Sequence, residues 1–315
     1  MKLHQVIAQY AASRKALGES FKTTEHILKA FCHALGDEAE ILEVEADRVQ
    51  AFLDGAGSVT CYWHRKHDAL RGFYRYAISR GYVATSPLPK VTPKQPPRFV
   101  PYIYTRNELR RLLDSVASYR NRSLLVEPHT FRALLLLLYG AGLRIGEALA
   151  LTLADVDLPS AMITIRDTKF YKTRMVALGS QLQQAMIQYA TRRQQAGHSQ
   201  SGSAPFFVAR TGARLKIPTI QQAFRRLRAH AGISRTDGAR YQPRLHDLRH
   251  AFAVHRLTAW YQEGKDVQKL LPLLATYLGH VELASTQVYL TMTPELLDAA
   301  CTRFEQYAFQ EVSHD

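Results

Sequence analysis

The sequence predicts a mainly α-helical protein with one small antiparallel sheet, divided into two domains. Apolar residues recur at helical spacing over most of the 315 residues, which predicts helices that each bury one face. Two short β-branched runs flank a polar turn, and this pattern indicates a hairpin. A proline-rich segment, residues 86–102, cannot be helical and separates the two parts of the chain. The predicted domains are residues 1–89 and 104–315, with a linker at 90–103.

The first domain is predicted to contain only helices. Three of them are placed at Thr24–Leu35, Ala46–Leu53 and Ser58–Ser79. The third helix interleaves aromatic residues with cations, as in a helix that packs on a core and lies against phosphates. A plain amphipathic helix with a solvated basic face has the same pattern. The candidate DNA-binding cations here and in the linker are Arg65, Lys66, Arg71, Arg75, Lys90 and Lys94.

The second domain is predicted to begin with two helices and a sharp turn. Thr105 and Glu108 have the spacing of a capping box, which starts the first helix. The largely apolar run 131–139 predicts a helix at the centre of the core. Glycines at 140 and 142 then break that helix, and we expect a helix–helix turn that exposes Arg144.

A hairpin and further helices complete the second domain. The strands are predicted at Ala161–Arg166 and Arg174–Leu178, and a third short strand at Phe206–Ala209. Helices are predicted over residues 180–195, 219–231, 246–262, 266–278, 283–291 and 294–308.

The charge balance points to a polyanionic partner. Lys and Arg number 41 against 27 Asp and Glu, and the pI is about 9.8. Residues 1–103 hold 14 basic and 10 acidic residues, which leaves 27 and 17 for the rest. Three scattered cysteines form neither a disulfide framework nor a zinc site. Because no long apolar segment occurs, we expect no membrane contact and a cytoplasmic, nucleoid-associated protein.

The last quarter of the chain carries the residues with chemistry. Two histidines, an arginine and a tyrosine stand within RLHDLRHAFAVHRL and ATYLGHVELASTQVYLTM. A second arginine lies in YGAGLRIGEALAL and a lysine in the predicted hairpin turn. Such groups suit attack on a DNA phosphate, since guanidinium forks bind its oxygens and a phenol needs nearby cations to act as a nucleophile. The candidates in chain order are Arg144, Lys169, His246, Arg249, His280 and Tyr289.

These boxes resemble those of the tyrosine recombinases, the phage integrase family. The resemblance covers residues 103–310 and rests on GLRIGEAL, the lysine hairpin, HDLRHAFA, the LGH triplet and a tyrosine at the expected distance beyond it. It implies a tyrosine-recombinase catalytic domain preceded by a small helical core-binding domain. The implied activity is site-specific DNA strand exchange through a 3′-phosphotyrosyl intermediate, with no metal, ATP or other cofactor. The passage before His280 is longer than in the shortest members, as in recombinases of mobile elements.

The resemblance also implies a role for each residue. Tyr289 is the nucleophile, Arg144 and Arg249 clamp the phosphate oxygens, and His246 and His280 hydrogen-bond the phosphate and assist proton transfer at the tyrosine oxygen. Three further assignments complete the set. Lys169 protonates the departing 5′ oxygen, with Lys172 the second choice. From its spacing, and not from the resemblance, Glu147 is expected to hold the Arg144 guanidinium, although a plain i,i+3 helix pair has the same pattern. His250 is expected to be a buried, hydrogen-bonded structural residue.

Several alternatives stay open on the sequence. His246 and His250 have the spacing of paired zinc ligands, but no third ligand is evident. A type IB topoisomerase and a catalytically inactive DNA-binding regulator are rival functions. For a recombinase, the resemblance implies double-stranded DNA as partner and four protomers on two duplexes, from a free monomer or weak oligomer. Integration, excision, resolution and transposition share these motifs, and a partner recombinase is left open. The C-terminal helix, residues 294–308, docks on its own core or on a neighbouring protomer.

Overall fold

The chain divides into two units, Met1–Phe99 and Val100–Asp315. The computed structural model describes residues 1–19, 21–96, 99–118, 126–166, 173–239, 241–280, 282–291, 293 and 296–302. The division between the units falls inside the predicted linker, whose described residues carry neither helix nor strand. Within the described residues no helix has the length and apolar character needed to cross a bilayer.

In its described residues the first unit has four α-helices and one 3-10 helix, Ile41–Glu43, around one core. Besides the three predicted helices, residues 3–16 form a helix that buries Leu3, Val6, Ile7 and Tyr10 on one stripe. The last helix starts three residues later than predicted, because the Thr60 side chain accepts the backbone N–H of Tyr62 and caps it there. The four helices are α1 (Leu3–Ala16), α2 (Lys22–Leu35), α3 (Ala46–Asp54) and α4 (Cys61–Ser79).

The described part of the second unit contains a helical segment at residues 296–302 and, before it, a further eight α-helices. They are α5 (Arg106–Ser118), α6 (Pro128–Gly140), α7 (Ile145–Ala150), α8 (Ser180–Gln195), α9 (Ile217–His230), α10 (Asp247–Gln262), α11 (Val267–Leu278) and α12 (Ala284–Gln287). The predicted mainly helical class is confirmed. The capping box is also present, since Glu108 accepts the Thr105 N–H at 2.9 Å and the Thr105 hydroxyl accepts the Glu108 N–H at 3.2 Å.

The sheet of the second unit is antiparallel and has three strands in sequence order. β1 (Val156–Asp157) pairs with β2 (Met162–Ile165), which pairs with β3 (Arg174–Ala177). Ile165 lies opposite Arg174 at the hairpin end, so the predicted hairpin is confirmed. Residues 167–172, with the predicted Lys169 and Lys172, lie outside the described residues.

Two secondary-structure predictions are corrected. Residues 206–209 form no strand of the sheet and make one isolated bridge, between Val208 and Arg214. Their aromatic side chains pack in the core, which explains a strand-like composition without a strand. Residues 283–291 are not one helix, because α12 gives way to a 3-10 turn at Val288–Thr291.

The core of the second unit forms around α6, which packs against α5, α8 and α10. Six of its side chains between Phe131 and Leu138 are at most 4% exposed, as expected for the predicted central helix. A neighbouring apolar group joins α10 and α11 to the C-terminal region and includes Tyr289 and Leu296. Residues 296–302 are helical, and the rest of the predicted helix 294–308 lies outside the described residues.

Candidate active site

Arg249 lies at the centre of the site and joins two helix ends. Its side chain projects from α10 and is 2% exposed. Nη1 donates to the carbonyl of Gly142 and Nη2 to the carbonyl of Leu278, both at 2.6 Å. Carbonyls at helix ends lack intrahelical donors, so this guanidinium satisfies acceptors that would otherwise be unpaired inside the protein. The ends of α6 and α11 are thereby held to α10.

Gly142 permits the turn that brings Arg144 to the site. Its φ of 60° lies in the left-handed region. A Cβ there would meet the Phe252 ring at 2.5 Å, so a larger residue is excluded by contact as well as by conformation. The helix–helix turn predicted at this position is confirmed, and Arg144 stands directly before α7 as its N-cap.

Arg144 is held by Glu147, one helical turn ahead. The carboxylate accepts from Arg144 Nη1 at 2.8 Å and from the Arg144 backbone N–H at 2.9 Å. Nη2 of Arg144 donates to the carbonyl of Gly279 at 3.3 Å. The Arg144 side chain remains 39% exposed. An incoming anion can therefore reach its guanidinium.

A second arginine on Glu147, Arg174, was absent from the predicted set. It opens β3, and its Nη1 and Nη2 donate to the two carboxylate oxygens of Glu147 at 3.1 and 2.8 Å. Burial raises the pKa of Glu147, but the hydrogen bonds and charges of Arg174 and Arg144 outweigh it and hold the pKa at about 2. The carboxylate is therefore ionised throughout the physiological range.

His280 follows a helix end built on glycine. Gly279 has a φ of 69°, and the N–H groups of His280 and Gly279 donate to the carbonyls of Ala275 and Thr276, both at 2.9 Å. This pattern is a Schellman motif, which ends α11 and turns the chain. His280 Nδ1 lies 2.7 Å from the hydroxyl oxygen of Thr286. Its ring is therefore fixed against the segment that carries Tyr289.

The Tyr289 hydroxyl contacts a histidine that sequence reasoning gave only a supporting role. His250 Nδ1 lies 3.0 Å from it, and Tyr289 is 3% exposed. Burial raises the pKa of Tyr289, while the charge of Arg249, a hydrogen bond from it and the charge of Arg144 lower the value in part. The phenol is thus protonated at pH 7, and its deprotonation has to accompany any nucleophilic attack.

The histidines of the site are neutral at pH 7. Burial, together with the charges of the nearby guanidiniums, lowers the pKa of His246 to about 4, of His250 to about 3 and of His280 to about 4. The His246 and His250 rings stand nearly perpendicular, with centroids 4.9 Å apart. With its proton on Nε2, His250 can accept the Tyr289 O–H on Nδ1. Across the described ranges no three metal-binding side chains converge on a site.

The predicted DNA-binding cations fall into different surroundings. Arg65, Arg71 and Arg75 project from α4 into solvent, and Lys90 and Lys94 are exposed beyond it. Lys66 differs, since it is 8% exposed and its Nζ donates to the carbonyl of Phe52 at 2.5 Å. That ammonium closes the end of α3 and is unavailable to a phosphate, so the prediction for this one residue is corrected.

Comparison with known proteins assigns the family. A sequence model described as the phage integrase family matches residues 103–295, more than half of the chain. A protein of Sinorhizobium fredii named integrase/recombinase y4rB is 34% identical over 306 residues, which cover 96% of both chains. The chain belongs to the phage integrase family. It is therefore a tyrosine-type site-specific DNA recombinase, as the sequence motifs predicted.

Other relatives agree with this assignment in sequence and in fold. The tyrosine recombinase XerC of Thermodesulfovibrio yellowstonii is 26% identical over 84% of this chain and 85% of its own. The integrase of transposon Tn1549, solved with transposon right end DNA, has a TM-score of 0.71 at 16% identity and covers 98% of the recombinase and 100% of that chain. A lambda integrase tetramer bound to a Holliday junction has a TM-score of 0.66 at 15% identity, over 92% and 77%. None of these names is that of a topoisomerase or of a regulator.

Proposed function

We propose that Tyr289 is the nucleophile with which the recombinase cleaves DNA. The observation that carries this assignment is the setting of its hydroxyl, which lies 3.0 Å from His250 Nδ1 and within the influence of the buried Arg249 charge. A phenol needs a proton acceptor and nearby positive charge to attack at neutral pH, and this position supplies both. Tyr139 also has a histidine at its hydroxyl, His255 Nδ1 at 2.9 Å, but the arginines near it, Arg106 and Arg256, are exposed.

Cleavage includes two proton transfers, one from the attacking tyrosine oxygen and one to the departing 5′ oxygen. The Tyr289 oxygen forms a bond to phosphorus and passes its proton to Nδ1 of His250. The bond from phosphorus to the 5′ oxygen breaks, and Lys169 donates the proton that this oxygen takes up. The anionic phosphate raises the basicity of His250 as it arrives, because a nearby negative charge favours the imidazolium. Attack by a 5′-hydroxyl reverses each transfer and rejoins the strand.

Arg144 and Arg249 bind the two non-bridging oxygens of the phosphate. Charge grows on these oxygens in the transition state, and fixed guanidinium donors stabilise it there without reorganising. Arg249 uses two of its five N–H donors on backbone carbonyls. This anchoring fixes the orientation of the donors that remain. His246 and His280, both neutral, complete the ring of hydrogen-bonding groups around the phosphate.

The recombinase acts as an oligomer on DNA, and we place it in a tetramer on two duplexes. Support comes from the lambda integrase tetramer, to which the fold is similar.

Residues 1–89 are proposed as a DNA-binding domain. Its exposed cations Arg65, Arg71 and Arg75 contact the DNA backbone, and Lys90, Lys94 and Lys172 make further contacts with the DNA. The similarity to a transposon integrase favours a mobile element as the source of the substrate. Segment 303–315 is proposed to contact a neighbouring protomer.

Trapping on a suicide substrate tests the assignment of Tyr289. The substrate is a duplex, nicked near the exchange point and built on the repeats that flank the gene, so that the cleaved fragment diffuses away. We expect the unchanged protein to become covalently attached to the DNA. Tyr289→Phe should bind the same duplex with equal affinity and form no adduct, because only the hydroxyl is removed.

The control replaces a tyrosine that the site does not use. Tyr189 is also buried and its hydroxyl is also hydrogen-bonded, at 3.0 Å to the carbonyl of Phe206. Tyr189→Phe should therefore be trapped like the unchanged protein. An adduct formed by Tyr289→Phe would show that another residue is the nucleophile.

A further inference from the structure

Arg174 makes three hydrogen bonds that converge on the catalytic site. Nε donates to the carbonyl of Tyr277 at 3.0 Å, while Nη1 and Nη2 reach the two carboxylate oxygens of Glu147. The side chain is 10% exposed. A guanidinium placed in this way joins the first residue of β3 to α7 and to the end of α11. It is five residues beyond Lys169 in the sequence.

Glu147 is fully engaged by the two arginines. Oε1 accepts from Nη1 of Arg144 and from Nη1 of Arg174, at 2.8 and 3.1 Å. Oε2 accepts from the Arg144 backbone N–H and from Nη2 of Arg174, at 2.9 and 2.8 Å. A carboxylate has about four acceptor positions, so all of them are occupied. Arg174 supplies half of the donors that fix the carboxylate on which Arg144 rests.

Gly279 gives independent evidence that the fold leaves space for the Arg174 side chain. A Cβ at Gly279 would lie 2.7 Å from Nη1 and 2.9 Å from Cζ of Arg174. Position 279 therefore favours glycine for two reasons: its φ of 69° is left-handed, and a side chain there would meet the Arg174 guanidinium. The same residue offers its carbonyl to Arg144 and precedes His280. Arg174 thus packs against the backbone that carries two groups of the site.

We propose that Arg174 is a positioning residue for DNA cleavage, which holds Glu147 and the Gly279 turn so that Arg144 and His280 meet the phosphate in register. This role rests on the proposed function of the site. Arg174 itself need not touch DNA, because its donors are used on Glu147 and Tyr277. Partners that orient a reacting group typically change activity by about 10–100-fold when they are removed.

The first test separates cleavage from binding. Arg174→Met keeps the apolar stem and removes the three hydrogen bonds. We expect about a 10–100-fold slower formation of the covalent adduct at saturating DNA on the nicked duplex, with DNA affinity within about threefold of the unchanged protein. Arg174→Lys should recover little of the rate, since an ammonium cannot bridge both oxygens and the Tyr277 carbonyl. Recovery by lysine would contradict the proposed geometry.

A matched control removes another buried arginine of the second unit. Arg235 is similar in exposure, 7%, and donates to Asp237 and to the carbonyl of Val100. Arg235→Met should leave the rate of adduct formation unchanged while losing a comparable set of bonds. An equal loss of rate in both variants would mean that Arg174 acts only by supporting the fold, and the proposal would be overturned.

A pH profile gives a signature that general destabilisation does not produce. Glu147 faces Arg144, Arg174, Arg249 and His280. Without Arg174, less positive charge lies beside the buried Glu147 carboxylate. Its ionised form is then less favoured, and its pKa rises. The rate of Arg174→Met relative to the unchanged protein should therefore fall as pH is lowered from 8 to 5.5.

The double variant Glu147→Gln with Arg174→Met completes the experiment. Its rate relative to the unchanged protein should be independent of pH, because the titrating group is gone. The two single losses should also sum to more than the double loss, since both variants disturb the same contact. Additive losses with no pH trend would overturn the role of Arg174. Failure of the unchanged protein to form any adduct would instead overturn the proposed function, so the two failures are distinguishable.

Discussion

Replacing Glu147 by glutamine measures how strongly one buried carboxylate holds the site together. The side chain is 11% exposed and lies between Arg144 and Arg174. Burial raises its pKa, but the two guanidiniums bring it down to about 2 from an ordinary 4.5. Since one pKa unit corresponds to about 1.4 kcal/mol, ionised Glu147 contributes about 3 kcal/mol to the free energy of unfolding at pH 7. Breaking a buried ion pair costs a similar amount, about 3–5 kcal/mol.

The effect of Glu147→Gln should depend on pH in a defined direction. A carboxylate whose pKa is lower in the folded state stabilises that state above its unfolded pKa, and this stabilisation is lost as pH falls through the folded pKa. The window therefore extends from 4.5 down to about 2. We expect the variant to be less stable by about 3 kcal/mol at pH 7, and the difference to shrink to less than about half of this by pH 3.

Urea unfolding followed by tryptophan fluorescence is the assay. The chain has two tryptophans, Trp63 in the first unit and Trp260 in the second, so a Trp63→Phe background reports the second unit alone. The control is Glu263→Gln, which removes a carboxylate that is 50% exposed and pairs with Lys265. Exposed pairs of this kind contribute about 0–1 kcal/mol. A loss for Glu147→Gln no larger than this control, or one independent of pH, would refute the reasoning.

Three further predictions concern the chemistry and the assembly. Arg144→Ala and Arg249→Ala should each slow adduct formation by about 10²–10³, or roughly 3–4 kcal/mol, with a modest loss of DNA binding; a loss confined to binding would make them phosphate-positioning residues. EDTA should leave adduct formation unchanged, and a rate restored by added metal would contradict the proposed chemistry. Deletion of residues 303–315 keeps the buried Leu296 and should leave a protein that binds one DNA site but forms no tetrameric complex in gel-shift and light-scattering measurements; an intact tetramer would show that the segment serves its own subunit.

Local patterns were sufficient to predict most of the fold. The Thr105 capping box, the apolar run of α6 and the glycine turn at Gly142 each depend on residues within a few positions of one another. Helical spacing and turn chemistry report such features directly. The aromatic segment 206–209 shows the limit, because buried aromatic residues have the same composition in a strand and in an irregular core segment. Burial alone explains Phe206 and Phe207.

The contacts of the site depend on packing and could not be predicted in the same way. His250 and Tyr289 are 39 positions apart, and Arg174 and Glu147 are 27 apart. The motifs located Tyr289 and Glu147, yet only the packing of α10 against the C-terminal region and of β3 beside α7 selects their partners. Lys66 makes the same point. Its position in a helix of basic and aromatic residues favours DNA contact, but its ammonium donates to the carbonyl of Phe52, 14 residues earlier.

The three guanidiniums of the site divide its tasks according to exposure. Arg249 and Arg174 are 2% and 10% exposed and bind backbone carbonyls, whereas Arg144 is 39% exposed. Loss of Arg249 therefore leaves the carbonyls of Gly142 and Leu278 unpaired in the interior, and each unpaired group costs about 1–3 kcal/mol. Loss of Arg144 removes one longer bond to a backbone carbonyl, that of Gly279 at 3.3 Å, and Glu147 keeps its bonds to Arg174. Arg249→Ala should consequently lower both stability and rate, and Arg144→Ala mainly rate, so that equal destabilisation by the two variants would contradict this division.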